Sequence, residues 1–488
     1  RMPLKTLDVV GGFRVRKVDS SEGQRLWLDG YQRLSTLVQI LGPGLISDLQ
    51  LQAIERATGD SAGSASEEVW VFDLQPVKEG AKSRDRFILL KKDQQPTSSQ
   101  LRLSTALDRK ALNRWLREQK PPLSDTQITE ADALRDRLRE YSIPVAVLVA
   151  DSLEDATESF KRINSSGVPM SDFNMVAALA YQDGFDPQAL FEDYRGELLE
   201  PLGWQDVPDS HILRVCAALA GQHPAKFEVD KLADQLRENN HLIREAFNAV
   251  ARAAEAIRQA CGIHGPEALP YSWQLIILAI TFGLGGNDLS KPETLAAVRR
   301  WLWLTTYGEV FAGVNSAIYD RSSAALANMI QGGDWLVMER DVTRKVRPVI
   351  RFDFRAARAR ATALLMARHQ DQGDLQGPAH RALAAGGSSL GLLQTTGRRS
   401  TWWHLTVVDD QASITDYRNA LQRRASSNPT NSDHHLLTRI GVPSDARGSI
   451  LDLLAARRDL LKSKEKEFIS DLGLEWADAD AGVDEQAE

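Results

Sequence analysis

The chain has 488 residues, of which 43% are hydrophobic, so it is long enough for two or three domains that each bury a core. Its formal net charge of −7 excludes nucleic-acid binding through overall positive charge, although a local basic patch is compatible with it. Two cysteines in no metal-like spacing, and no apolar run long enough to cross a bilayer, lead us to expect a cytoplasmic protein without a membrane span.

The first 150 residues carry most of the strand signals and are predicted to form an α/β domain. Residues 25–28, 69–74 and 86–90 are short apolar runs that predict strands, the last two as a pair. Residues 143–149 form a continuous apolar run, which predicts a buried strand. Helical spacing predicts helices at 34–41, 107–118 and 130–141.

Beyond about residue 151 the pattern becomes helical. Helices are predicted at 156–162, 172–182, 212–219, 231–239, 243–261, 273–284, 292–305, 322–329 and 450–472. The Gly- and Ser-rich segment 373–399 predicts a loop or linker, and 402–408 predicts a strand. The fold class is therefore α+β, mostly α, with an α/β domain (1–150), a helical domain (151–370), a small C-terminal module (371–476) and an acidic disordered tail (477–488).

The sharpest motif is LDGYQRL at residues 28–34. Gly30 permits close backbone approach, and the N–H groups that open the next helix favour an anion. Gln32 and Arg33 add donors that suit a phosphate or a base edge. A turn in which Asp29 caps the helix and Arg33 is solvated explains the same residues, so the motif leaves both interpretations open.

A second motif, FKRINSSGVPMS, occupies residues 160–171. Residues 164–167 predict a turn, and Ser171 is predicted to cap a helix with Asn174 at its third position. We expect residues 29–33 of the first motif, called the signature below, to line a polar pocket, and this segment to close one wall of it, because such loops converge at strand ends in α/β sheets. Arg162 and Asn164 would then face the ligand, although a solvated Arg162 and a turn-stabilising Asn164 are the alternative.

In order and spacing, the two motifs resemble the GmrSD-like restriction and phage-defence family, over roughly residues 1–330. The resemblance implies a ParB/sulfiredoxin-like N-terminal domain that binds and hydrolyses a nucleoside triphosphate, with Mg²⁺, or helps to cleave DNA. It also implies DNA, including modified DNA, and a second copy or other defence proteins as partners. It assigns catalysis to Asp29, Gln32 and Arg33, and nucleotide binding to Gly30, Tyr31, Arg162 and Asn164.

The chain departs from the family pattern at two places. Tyr31 stands where the signature has its first Gln, which removes a group that could orient water, although a tyrosine can stack on a base. The family's upstream Pro-x-Ile-Gln-Arg segment is missing, so we expect an N-terminally truncated domain or an incomplete site.

The C-terminal half offers two further candidates. Members of the family often end in an HNH nuclease, and His434 and His435 are the residues that could belong to a divergent one, although a solvated or capping His pair is the simpler interpretation. Arg351, Arg355 and Arg358 are spaced to share one helix face and could contact a DNA backbone, or could pair with acidic neighbours.

Two functions therefore remain open. The first is a nucleotide-dependent effector that targets or cleaves DNA, which the Asp-Gly and Gln-Arg pairs favour. The second is a non-catalytic sensor or scaffold that binds nucleotide or DNA without cleaving it, which Tyr31 and the weak nuclease region favour.

Overall fold

A computed structural model describes residues 9–10, 13–14, 31–45, 69–75, 86–90, 94–143, 171–182, 184–285, 289, 291–394 and 401–477. For residues 9–10, 13–14, 31–33 and 42–45 this description covers the backbone alone. The chain divides into two compact units, Arg1–Met170 and Ser171–Glu488, and it is mostly helical, as predicted. Among the residues described, no helix has both the length and the apolar character needed to cross a membrane.

The first unit combines short strands with helices. Its elements are β1 (Val9–Val10), β2 (Phe13–Arg14), α1 (Tyr31–Leu45), β3 (Val69–Asp73), β4 (Phe87–Leu90), β5 (Gln100–Arg102), α2 (Leu103–Leu107), α3 (Arg109–Glu118) and α4 (Asp125–Glu140). Strand β3 lies between β4 and β5 in an antiparallel sheet, with Val71 opposite Ile88. The predicted strand pair is confirmed, whereas the strands predicted at 25–28 and 143–149 lie outside, or almost outside, the described residues.

The core of the first unit lies between this sheet and its helices. Phe72 of β3 packs with Leu101 of β5 and Leu112 of α3, and Ile40 and Leu41 of α1 lie against the same cluster. Helix α4 begins five residues earlier than predicted because Ser124 caps it, its side chain accepting from the backbone N–H of Gln127 at 3.3 Å.

The second unit opens with a helical bundle. Its elements are α5 (Asp172–Ala180), α6 (Pro187–Tyr194), α7 (Asp209–Leu219), α8 (Val229–Glu238), α9 (His241–Cys261), α10 (Ser272–Gly285), α11 (Pro292–Tyr307) and α12 (Ser316–Ile330). The helices predicted for this region are confirmed wherever it is described. Helix α6 is an additional helix that was not predicted. Helices α9 and α10 pack against each other, and six of the twelve buried residues of α9 are alanines.

The remaining elements pack in the same unit. They are β6 (Lys345–Val346), α13 (Ala357–Gln370), α14 (Pro378–Ala382), β7 (Leu390–Leu392), β8 (Leu405–Val407), α15 (Ile414–Ala425), α16 (Asn431–Arg439), α17 (Ile450–Asp471) and β9 (Glu475–Trp476). The long terminal helix is confirmed. The strand predicted at 402–408 is confirmed only at Leu405–Val407, because Trp402–His404 form a 3₁₀ turn. The loop or linker expected at 373–399 is wrong where this segment is described, because it holds α14, a 3₁₀ turn (Leu383–Ser389) and β7.

A buried carboxylate explains why that segment folds. Asp371 accepts hydrogen bonds from the backbone N–H of Ala379 at 3.1 Å and of His380 at 2.9 Å, which satisfies the free donors at the start of α14. The imidazole Nδ1 of His380 lies 2.9 Å from the same carboxylate, and both side chains are almost fully buried. The Gly-rich composition therefore reflects tight turns that are anchored from outside the segment.

Candidate functional site

The signature lies at the start of α1. Tyr31 is the first residue of this 15-residue helix, so the backbone of Gln32 and Arg33 lies in its first turn. That turn carries N–H groups without intrahelical partners. The helix predicted after the signature is confirmed, whereas Asp29 and Gly30 lie outside the described residues, and the predicted pocket stays a prediction.

The second motif is described only from its last residue. Ser171 caps α5, with its hydroxyl accepting from the backbone N–H of Asn174 at 3.2 Å, so the predicted cap and the position of Asn174 are confirmed. Phe173 then packs against Phe191, with ring centroids 4.5 Å apart. Arg162 and Asn164 lie outside the described residues, so their approach to the signature also stays a prediction.

The basic run does not form the expected helix face. Helix α13 begins at Ala357, so Arg351 and Arg355 precede it, and the prediction of a shared helical face is wrong. A turn at Asp353 is the reason, since its carbonyl accepts from the N–H of Ala356 at 2.8 Å. The Arg355 guanidinium hydrogen-bonds the Asp353 carboxylate and holds its pKa near 2. Arg351 and Arg355 are nevertheless both exposed.

Arg358 is separated from these two arginines by burial. Its side chain is 12% exposed, it lies 3.3 Å from the carboxylate of Glu465, and it stacks 4.5 Å above the ring of Tyr307. The Tyr307 hydroxyl donates to the same carboxylate at 3.3 Å. Burial raises the pKa of both Glu465 and Tyr307. Arg358 is therefore an internal counter-ion, which favours pairing with an acidic neighbour over the predicted contact with DNA.

The histidine pair belongs to the start of α16, and its neighbours already have partners. Asp433 is 1% exposed, caps α16 with Thr430, and accepts from the Arg423 Nε at 2.8 Å, which depresses its pKa. The Nδ1 of His434 lies 2.8 Å from a guanidinium nitrogen of the buried Arg424, whereas His435 is exposed. Across the described ranges no group of three or more His, Cys, Asp and Glu could hold a metal ion. The helix cap is formed by Thr430 and Asp433 rather than by the histidines, and the exposed His435 fits the solvated interpretation.

Sequence reasoning missed a buried polar cluster between α13, α14 and α16. Arg439 donates to the hydroxyl of Tyr417 at 2.6 Å and pairs with Asp409, while the carboxylate of Asp371 lies 3.7 Å away and holds His380. Every charged member has a partner, which is the condition for burying such groups. No local pattern could have identified the cluster, because its members come from separate elements.

The fold and these contacts define a mostly helical protein of two units, the first with a small antiparallel sheet. Comparison with protein-family models finds no match for the chain, and comparison with curated proteins also finds none.

Proposed function

We propose that the protein is a nucleotide-dependent effector of anti-phage defence, in which a nucleoside triphosphate bound at residues 29–33 controls the targeting of DNA. The observation that carries the proposal is the start of α1 at Tyr31. The free N–H groups of its first turn and the side chains of Gln32 and Arg33 originate from the same three residues. The order of the two motifs, which resembles that of GmrSD-like proteins, supports the same assignment.

Each residue of the signature has a distinct role in this proposal. The Arg33 guanidinium donates paired hydrogen bonds to a phosphate, and the Asp29 carboxylate provides an oxygen ligand for Mg²⁺. The Gln32 amide orients the attacking water, as glutamines do in other nucleotide hydrolases. Tyr31 stacks on the base, and Arg162 and Asn164 close the opposite wall.

The test is nucleotide binding and hydrolysis by the full chain, with and without DNA. We expect Arg33→Ala to weaken nucleotide binding by about 1.5–3 kcal/mol, the range for a hydrogen bond to a charged group. Arg114→Ala is the matched control, because Arg114 is exposed on α3 in the same unit. Titration calorimetry that finds equal affinities for wild type and Arg33→Ala would contradict the proposal.

A second function, a sensor that binds nucleotide or modified DNA without cleaving it, is favoured by the contacts of Asp433 and His434. Arg423 hydrogen-bonds Asp433, and Arg424 hydrogen-bonds His434, so both side chains already have partners within the protein. Under this alternative, wild type binds nucleotide without hydrolysing it. His434→Ala and His435→Ala leave the effect of DNA on nucleotide binding unchanged.

DNA binding is tested separately through the two exposed arginines. If Arg351 and Arg355 contact phosphates, Arg351→Ala and Arg355→Ala each reduce the slope of log affinity against log salt by about 1. An unchanged slope in both variants would place the DNA contact elsewhere. Arg358 is unsuitable for this test because its replacement removes a buried ion pair.

A further inference from the structure

A cleft in the second unit lies among residues of α9, α11, α13 and α17. Its empty volume is about 330 Å³ when the adjoining open solvent is included. Trp303 and Tyr307 of α11 and Phe468 of α17 supply aromatic surface, and Arg299 of α11 and Arg368 of α13 supply positive charge. Arg299, Trp303 and Tyr307 recur every four residues, so they lie along one face of α11.

The two arginines of this cleft differ from the other partly buried arginines of the unit. Arg321 and Arg439 each pair with a carboxylate. By contrast, within the part of the chain that is described, Arg299 and Arg368 have no hydrogen bond or ion pair from either guanidinium. Asp471 attracts Arg368 without forming an ion pair with it.

The two charges are close enough to affect one another. Burial, and after it the positive charge of Arg299, lower the pKa of Arg368. Two cations held together at a partly dry surface repel each other, and an anion between them would relieve that repulsion. The Arg368 guanidinium also lies 5.4 Å from the centroid of the Phe468 ring, a contact that fixes its position before any ligand arrives.

We propose that this cleft binds a phosphate group, free or carried by a small metabolite, between Arg299 and Arg368. Guanidinium groups match phosphate with two parallel hydrogen bonds each, so the pair suits this anion better than chloride. The cleft lies entirely within the second unit, so it is distinct from residues 29–33.

The experiment is titration calorimetry of the full chain with inorganic phosphate and with adenosine monophosphate, against sodium chloride at matched ionic strength. Wild type binds both ligands, and Arg299→Gln combined with Arg368→Gln weakens binding by about tenfold or more, the effect of losing hydrogen bonds to a charged group. Arg300→Gln is the matched control, because it is the next residue of α11, carries the same charge and is exposed. It retains wild-type affinity.

Hydrogen exchange separates this site from residues 29–33. Phosphate protects backbone amides of α11 and α13 in wild type and in Arg33→Ala, and this protection disappears in the double variant. If the double variant does not fold, the single Arg368→Gln and Arg299→Gln variants replace it in both measurements. In the Arg33→Ala background, tighter binding of adenosine monophosphate than of phosphate identifies a phosphorylated metabolite, and equal or weaker binding identifies free phosphate. Absence of binding beyond the chloride control, or equal loss in Arg300→Gln, overturns the proposal.

Discussion

Arg358 and Glu465 form an ion pair 3.3 Å long that joins the first turn of α13 to α17, with only 12% and 5% of their side chains exposed. The hydroxyl of Tyr307 donates a hydrogen bond to the Glu465 carboxylate. The pair shows how a residue in a basic run becomes part of the interior, since its helix turns it towards an acid from a distant part of the chain.

The buried pair predicts a large difference between neighbouring arginines. Arg358→Ala should reduce the free energy of unfolding by about 3–5 kcal/mol, because it leaves the Glu465 carboxylate buried without its counter-ion. Arg351→Ala should change that free energy by about 0.5 kcal/mol or less, since Arg351 is exposed. Urea denaturation of both variants measures the difference. Similar midpoints for the two would contradict a counter-ion role for Arg358.

Asp433 is expected to stabilise the start of α16 in a pH-dependent way. Asp433→Asn should reduce the free energy of unfolding by about 1.5–3 kcal/mol near neutral pH, because Arg423 then loses its charged hydrogen-bond acceptor. The pKa of Asp433 is depressed by Arg423 in the folded protein, so the unfolded chain takes up the proton first as the pH falls. The stabilisation is therefore complete above the ordinary aspartate value of 3.8 and declines below it. Unfolding free energies of the two proteins should converge in acid; a constant difference would refute this role.

His369 should make the protein less stable in mild acid. Burial, with a smaller effect from the charge of Lys464, lowers the pKa of His369 from 6.5 to about 4. Between these values the unfolded chain binds a proton that the folded protein does not, so stability falls as the pH drops from 6.5 towards 4. Over this interval the free energy of unfolding of His369→Gln should fall by about 2 kcal/mol less than that of wild type, a figure that allows for the partial exposure of His369. Parallel stability curves from pH 7.5 to 4.5 would show that another group is responsible.

Two glycines with similar backbone angles should respond differently to alanine. Gly262 ends α9 at φ +69°, and a Cβ there would lie 2.5 Å from Cδ2 of the buried His380. Gly221 has φ +79°, and a Cβ there would meet no described atom within 4 Å. Gly221→Ala should cost about 1–2 kcal/mol from backbone strain alone, and Gly262→Ala about 1–3 kcal/mol more from overpacking. Equal losses in urea denaturation would mean that His380 moves aside freely.

Local patterns in the sequence identified many of the helices and the strand pair. Residues 450–472 were predicted as one helix and form Ile450–Asp471, because a long periodic segment with a Ser449 cap determines its own conformation. Ser171 was likewise identified as a cap from its position before an apolar helix. The short elements α6, α14 and β5 were missed because only a few residues mark them and packing stabilises them.

The sequence by itself was enough to identify the signature at residues 28–34, the second motif at residues 160–171 and the mostly helical class. Each of these depends on residues that are close together in the chain. The tertiary structure alone decided which charges are buried. Arg358 pairs with Glu465, Asp433 is held by Arg423, and Arg299 meets Arg368 at one cleft. Charge and spacing along a chain specify a helix face, whereas the partner across an interior depends on how separate helices pack, which no local pattern encodes.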